Sequence, residues 1–187
     1  ADWSLNLSAL RHLPATVPVR SRLQKPRARS SGERVVAFVV SDGDNLQWVG
    51  GRFVDDPGFW ASPLRGRFAV TWEMPPEAWV MAPRILGKIL GMASPNDDFI
   101  AGPSGYGYQF PSHLPGRPAA AAETVRAVAR VDWSLVTLLN AGGGQDSSKD
   151  WLERPEIRGV LYKDYAPYNR GRGAVYWHQG KPSVSYR

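Results

Sequence analysis

The sequence predicts an α/β domain built on a parallel sheet, either open or closed into a barrel. Three observations predict it. Short β-branched and aliphatic runs recur along the chain, helix-like segments separate them, and most runs end on acids, amides or tyrosines. Alternation of strand and helix signals parallel pairing, because a parallel neighbour is reached only through a crossover long enough to hold a helix.

The elements follow in order. Val35-Val36-Ala37-Phe38-Val39-Val40 is a continuous apolar run, the pattern of a strand buried on both faces. Phe68-Ala69-Val70-Thr71-Trp72 repeats it. Pro75-Pro76-Glu77 opens a helix reaching Met92, with Pro83 as a break point. Asp98-Phe99-Ile100-Ala101 is a third strand. The alanine-rich stretch from Pro118 to Val131 places Val125, Val128 and Val131 on one helical stripe. Leu135 to Leu139 is a fourth strand, Ser147 to Leu152 a short helix, and Gly159 to Tyr162 a fifth strand. Gly173–Trp177 and Pro182–Tyr186 form a hairpin around His178-Gln179-Gly180-Lys181.

Composition bounds the function. With 187 residues and 43% apolar content, one core and one domain are expected. The chain begins at Ala1 without an initiator Met, a signal peptide or an apolar spanning run, and is expected to be a piece of a longer protein. The absence of cysteine excludes disulfides and thiolate ligands. Eight tryptophans favour a core or a site built on large rings. The net charge of +6 invites a nucleic-acid partner, but its location argues against one. Arg11, Arg20, Arg22, Lys25, Arg27, Arg29 and Arg34 stand against the single acid Glu33, and the rest of the chain is balanced. With its prolines and Ser30-Ser31-Gly32, residues 1–34 read as a basic lead-in arm, and 35–187 as the folded domain.

The strand ends carry the chemistry. After the first strand come Ser41-Asp42-Gly43-Asp44-Asn45 and Trp48; after the second, Glu73. The third leads to Pro103-Ser104 and then to Gly105-Tyr106-Gly107-Tyr108-Gln109-Phe110-Pro111. The fourth is followed by Asn140 and Gly142-Gly143-Gly144, the fifth by Lys163-Asp164-Tyr165. In parallel α/β folds the carboxyl ends of the strands gather on one rim, where ligands bind. A turn needs only the glycines of the GYGYQFP stretch. The rings suit a ligand such as a sugar, whose C–H faces stack on aromatics while its hydroxyls bond polar groups. Gly105 and Gly107 let the loop turn beside the ligand, and in an extended loop Tyr106 and Tyr108 would face one side.

Asp42, Asp44, Glu73 and Asp164 are the candidate catalytic carboxylates, acting as acid, base or nucleophile on a glycosidic bond. Asn45, Trp48, Gly105, Tyr106, Gly107, Tyr108, Phe110, Asn140 and Tyr165 are the candidate sugar contacts. Each has a plainer role beside it. Asp42 or Asn45 caps a helix, Glu73 satisfies a helix start, and Asp164 pairs with Lys163 or an arginine. No cofactor is expected, although Asp42 and Asp44 have oxygens suited to Ca²⁺ or Mg²⁺. The EF-hand spacing, the P-loop lysine and the G-x-S-x-G elbow are all missing.

The GYGYQFP loop, Ser41-Asp42-Gly43-Asp44-Asn45-Leu46-Gln47-Trp48, Gly180-Lys181-Pro182 and Asn6-Leu7-Ser8 together resemble the C-terminal domain of the GxGYxYP family of putative glycoside hydrolases. The resemblance spans nearly the whole chain. It implies a TIM-barrel-like domain, a separate domain upstream, carbohydrate as the ligand class, and an extracellular or periplasmic location. One position departs: Phe110 stands where the motif has its second tyrosine, which removes a hydroxyl and keeps a stacking ring. The same rim would also serve a non-catalytic carbohydrate-binding domain. A metal-dependent polysaccharide deacetylase is disfavoured, because His12, His113 and His178 are dispersed.

Overall fold

The computed structural model describes residues 6–16, 30–41, 46–165 and 170–186. Its strands are β1 (Val39–Val40), β2 (Val70–Met74), β3 (Asp97–Ala101), β4 (Leu135–Asn140), β5 (Gly159–Asp164), β6 (Val175–His178) and β7 (Lys181–Ser185). The helices are α1 (Leu7–Leu10), α2 (Leu46–Gly50), α3 (Ala78–Met81), α4 (Pro83–Met92), α5 (Arg117–Val128) and α6 (Lys149–Leu152). All seven strands join one sheet in the order β1-β2-β3-β4-β5-β7-β6. Every pairing is parallel except β6 with β7.

The α/β expectation therefore holds, and closure does not. Among the described residues β1 and β6 are the two edges of the sheet, and no ladder joins them into a barrel. The sheet is curled all the same. Lys163 Nζ of β5 lies 3.1 Å from Glu73 Oε2 of β2, across three strand spacings that would span about 14 Å in a flat sheet. Ala37, Phe38 and Val39 also share a cavity with Leu161, Val184 and Tyr186. The two ends of the sheet thus approach each other across a concave face.

Local chemistry explains most boundaries. Pro83 opens α4 as its first residue, so the predicted helix from Pro75 splits into α3 and α4 at Ala82. Gln179 and Gly180 both have positive φ, which is the two-residue hairpin turn whose twist matches its strands. The first strand is the correction. Only Val39 and Val40 pair, while Val35 and Val36 are 61% and 73% exposed. An apolar run normally means burial on both faces, but this one enters at a sheet edge, where no second neighbour covers it.

The core fills the convex face of the sheet. Trp72, Met74, Phe99, Val136, Leu138, Val160 and Tyr162 pack there against Leu86, Ile89 and Leu90 of α4, Val128 of α5, and Trp151 and Leu152 of α6. Much of the tryptophan content goes into this layer. Trp60 meets Trp72 at 5.3 Å between ring centroids, and Phe99 stacks on Trp133 at 5.7 Å. Asp97 closes the amino-terminal end of the sheet by accepting from Trp72 Nε1 at 2.9 Å and pairing with Arg65. No described helix is long and apolar enough to cross a membrane.

Candidate active site

Because strand residues alternate between faces, those that do not join the convex core point into the concavity. Trp72 and Met74 belong to that core, so Glu73 between them projects the other way. Likewise Tyr162 packs in the core and Lys163 points inward. Both side chains are buried, and Lys163 Nζ contacts both carboxylate oxygens of Glu73, at 3.1 and 3.5 Å. Tyr186, just beyond β7, lies with its ring 5.8 Å from Lys163 Nζ. Burial, and then the charge of Glu73, push the Tyr186 hydroxyl pKa up. Its phenol thus stays protonated beside the carboxylate. Gly102 is needed here because the backbone itself touches Glu73: a Cβ at this position would fall 2.7 Å from the Glu73 side chain.

The same alternation separates the other predicted residues. Asp164 and Asn140 are paired across β4 and β5 at the same end as Glu73, but on the helix-facing side. Asn140 Oδ1 accepts from the Ser112 amide at 2.9 Å and from its hydroxyl at 2.6 Å. Its Nδ2 donates to Tyr162 Oη at 3.1 Å and Ser147 Oγ at 3.3 Å. Tyr162 in turn donates to Asp164 Oδ1 at 3.1 Å. Burial comes first among the causes that raise the Tyr162 pKa to about 12. Asn140 thus holds the turn after Phe110, and Asp164 stands on the face of the sheet opposite to Glu73. Trp48 is drawn inward as well. Its ring packs edge-on against Phe59 at 5.0 Å and Phe53 at 6.4 Å, because the amphipathic turn of α2 turns it toward the core.

The aromatic loop takes a shape that an extended segment cannot have. Gly105 and Gly107 both lie in the left-handed region, with φ of +76° and +85°. The chain turns at each, and the two tyrosines part company. Tyr108 stays with Phe110 at 5.9 Å, and Phe110 meets Tyr165 at 5.5 Å and His113 at 5.7 Å. Tyr106 instead lines a groove with Trp79, Glu123, Arg126 and Arg130. Ser104 anchors the loop base by hydrogen bonds to the carbonyls of Gln109 and, at 3.1 Å, Leu139. Tyr108 and Tyr165 remain about half exposed. Phe110 is thus the centre of a ring surface on the rim.

Two residues were not singled out for this site by their sequence context. Lys163 carried no signal beyond following a strand. Glu77 looked like a helix-start acid, yet it is buried and lines the same groove as Tyr106. Burial raises its pKa from 4.5 to about 7, opposed by its own amide and that of Gly107. A carboxyl whose folded pKa is raised gives its full stability below the unfolded value and loses it as pH rises through the folded one. Glu77→Gln should therefore gain stability over wild type between pH 4.5 and 7, up to about 3 kcal/mol at pH 8. Urea denaturation at pH 4 and pH 8 checks this; a difference that does not grow with pH would refute it.

Asp42, Asp44 and Asn45, and with them the Ca²⁺ or Mg²⁺ suggested for those aspartates, lie outside the described residues. Among the described residues, no group of three His, Cys, Asp or Glu side chains forms a metal site.

The family model described as "GxGYxYP putative glycoside hydrolase C-terminal domain" matches residues 33–187. A crystal structure titled as a putative hydrolase from Bacteroides thetaiotaomicron superposes with a TM-score of 0.70 at 24% identity. The alignment covers 97% of this chain and 34% of that one, so the chain spans about a third of that protein's length. At this identity the likeness is one of fold. No curated protein matches the chain. Since the family model takes in all seven strands of the sheet and the whole aromatic loop, the chain belongs to the GxGYxYP putative glycoside hydrolase C-terminal domain family.

Proposed function

We propose that this domain binds carbohydrate on the ring surface formed by Tyr108, Phe110 and Tyr165. Glu73, together with Asp42 or Asp44, supplies the carboxylates for hydrolysis of a glycosidic bond. One observation carries the reading: a half-exposed aromatic surface stands at the same end of the sheet as a buried carboxylate turned into the concavity. Aromatic rings hold the C–H faces of a sugar, and paired carboxylates about 5 to 9 Å apart perform both known modes of glycoside hydrolysis. Asp42 and Asp44 follow β1 in the sequence, and β1 is the parallel neighbour of β2, which carries Glu73. They are better partners for Glu73 than Asp164, which faces the helices.

A second reading, a non-catalytic carbohydrate-binding domain, is favoured by a different observation: Glu73 is only 1% exposed and already faces a lysine. A glycan screen on the full-length protein, with product analysis, separates the two. Hydrolysis products support the enzyme, binding without turnover supports the binder, and neither would refute both. Tyr108→Ala should weaken glycan affinity by roughly tenfold, the scale of one lost aromatic contact, without altering the fold. Unchanged affinity measured by calorimetry would remove the ring surface from the site.

A further inference from the structure

Resting on the hydrolytic reading above, we propose that Lys163 fixes the role of Glu73. It holds Glu73 as an unprotonated carboxylate, so Glu73 acts as nucleophile or base, and the leaving group takes its proton from a different acid. Lys163 Nζ sits 3.1 and 3.5 Å from the two Glu73 oxygens, so both oxygens face one ammonium. A proton on either would have to share that space with a buried cation, which favours the charged carboxylate. An acid catalyst needs the opposite setting, an apolar pocket that keeps its proton in place at working pH.

The surroundings of Glu73 add to this. The backbone of Gly102 closes one side. The ring of Tyr186 lies 5.8 Å from the Lys163 ammonium, on which Glu73 is seated. Lys163 from β5 is the cation facing Glu73 among the described residues. In the reaction, the bond between the anomeric carbon and the leaving oxygen breaks, its electron pair stays on that oxygen, and the other acid protonates it. The anomeric carbon takes an oxygen either from Glu73 directly, or from a water whose proton passes to Glu73. Lys163 acts through Glu73 and is a positioning residue.

The test reads the protonation of Glu73 itself and does not depend on turnover. Protein carrying ¹³C-labelled glutamate is titrated by NMR, with the Glu73 carboxyl signal assigned by its loss in Glu73→Gln. The expected result is a wild-type Glu73 signal in the carboxylate position throughout pH 5 to 8. Lys163→Met should shift its midpoint upward by about one unit or more, and Lys163→Arg should restore it. A wild-type Glu73 that is protonated at pH 6, or a midpoint indifferent to Lys163, would overturn the proposal. If Lys163→Met does not fold, the wild-type titration and that of Lys163→Arg still decide. Failure of the glycan screen would defeat the hydrolytic reading while leaving this titration to report on Glu73.

Discussion

Glycosidic hydrolysis should fall by about two orders of magnitude or more when Glu73 becomes glutamine, the scale of a positioned proton-transfer group or a larger one. The substitution keeps the length of the side chain and its contact with Gly102, and removes only the charge and the basic oxygen. Sugar affinity should change far less, because the rings of Tyr108, Phe110 and Tyr165 lie on the loops beyond β3 and β5 rather than on β2. The variant also leaves the Lys163 ammonium without the carboxylate it faces, so a fall in rate could reflect partial unfolding. The double variant Glu73→Gln/Lys163→Met is the control. It should recover most of the stability and none of the activity. Rates are measured on released reducing sugar and referred to the folded fraction. Wild-type rates in folded Glu73→Gln protein would exclude Glu73 from the chemistry.

The second large effect is on stability. Glu73 and Lys163 are both nearly inaccessible to solvent and meet at 3.1 Å. Removing Glu73 leaves the Lys163 ammonium as a buried charge without the carboxylate it faces, and breaking such a pair costs about 3 to 5 kcal/mol. Replacing both by apolar groups of similar volume costs far less, since neither charge then has to be desolvated. Glu73→Leu and Lys163→Met should each be destabilising on that scale, and the double variant should lie closer to wild type than either. The expected coupling is therefore strong and of a sign that additive losses cannot mimic. It is read from urea midpoints of the four proteins at pH 7. Additive single-variant losses would mean that the pair is not coupled in solution, and that the curl of the sheet does not depend on it.

The sequence made the elements legible where local chemistry is strong. Pro83 split one helix into two, Gln179-Gly180 placed the hairpin turn, and the alanine-rich segment became α5, all from residues acting on their own neighbours. The aromatic character of the rim was equally visible, because tyrosines on glycine-rich backbone have few other uses. The exposed valines before β1 were misread because burial depends on which strand stands alongside, and an edge has a missing neighbour that no local pattern records. Trp48 went to the core for a similar reason: a ring beside an acidic turn looks the same whether it meets a ligand or Phe59.

By itself, then, the sequence determined the parallel α/β order, the gathering of chemistry at the strand ends and the family. These rest on periodicity, turn chemistry and motif, which are properties of short stretches. Only the tertiary structure decided the face on which each end residue emerges, because a shift of one residue along a strand reverses it. That single parity placed Glu73 and Lys163 together in the concavity and turned Asn140 and Asp164 toward the helices. It also took the curl of the sheet to bring the side chains of Glu73 on β2 and Lys163 on β5 to 3.1 Å, since side chains 90 residues apart meet only when long-range strand pairing sets the curvature.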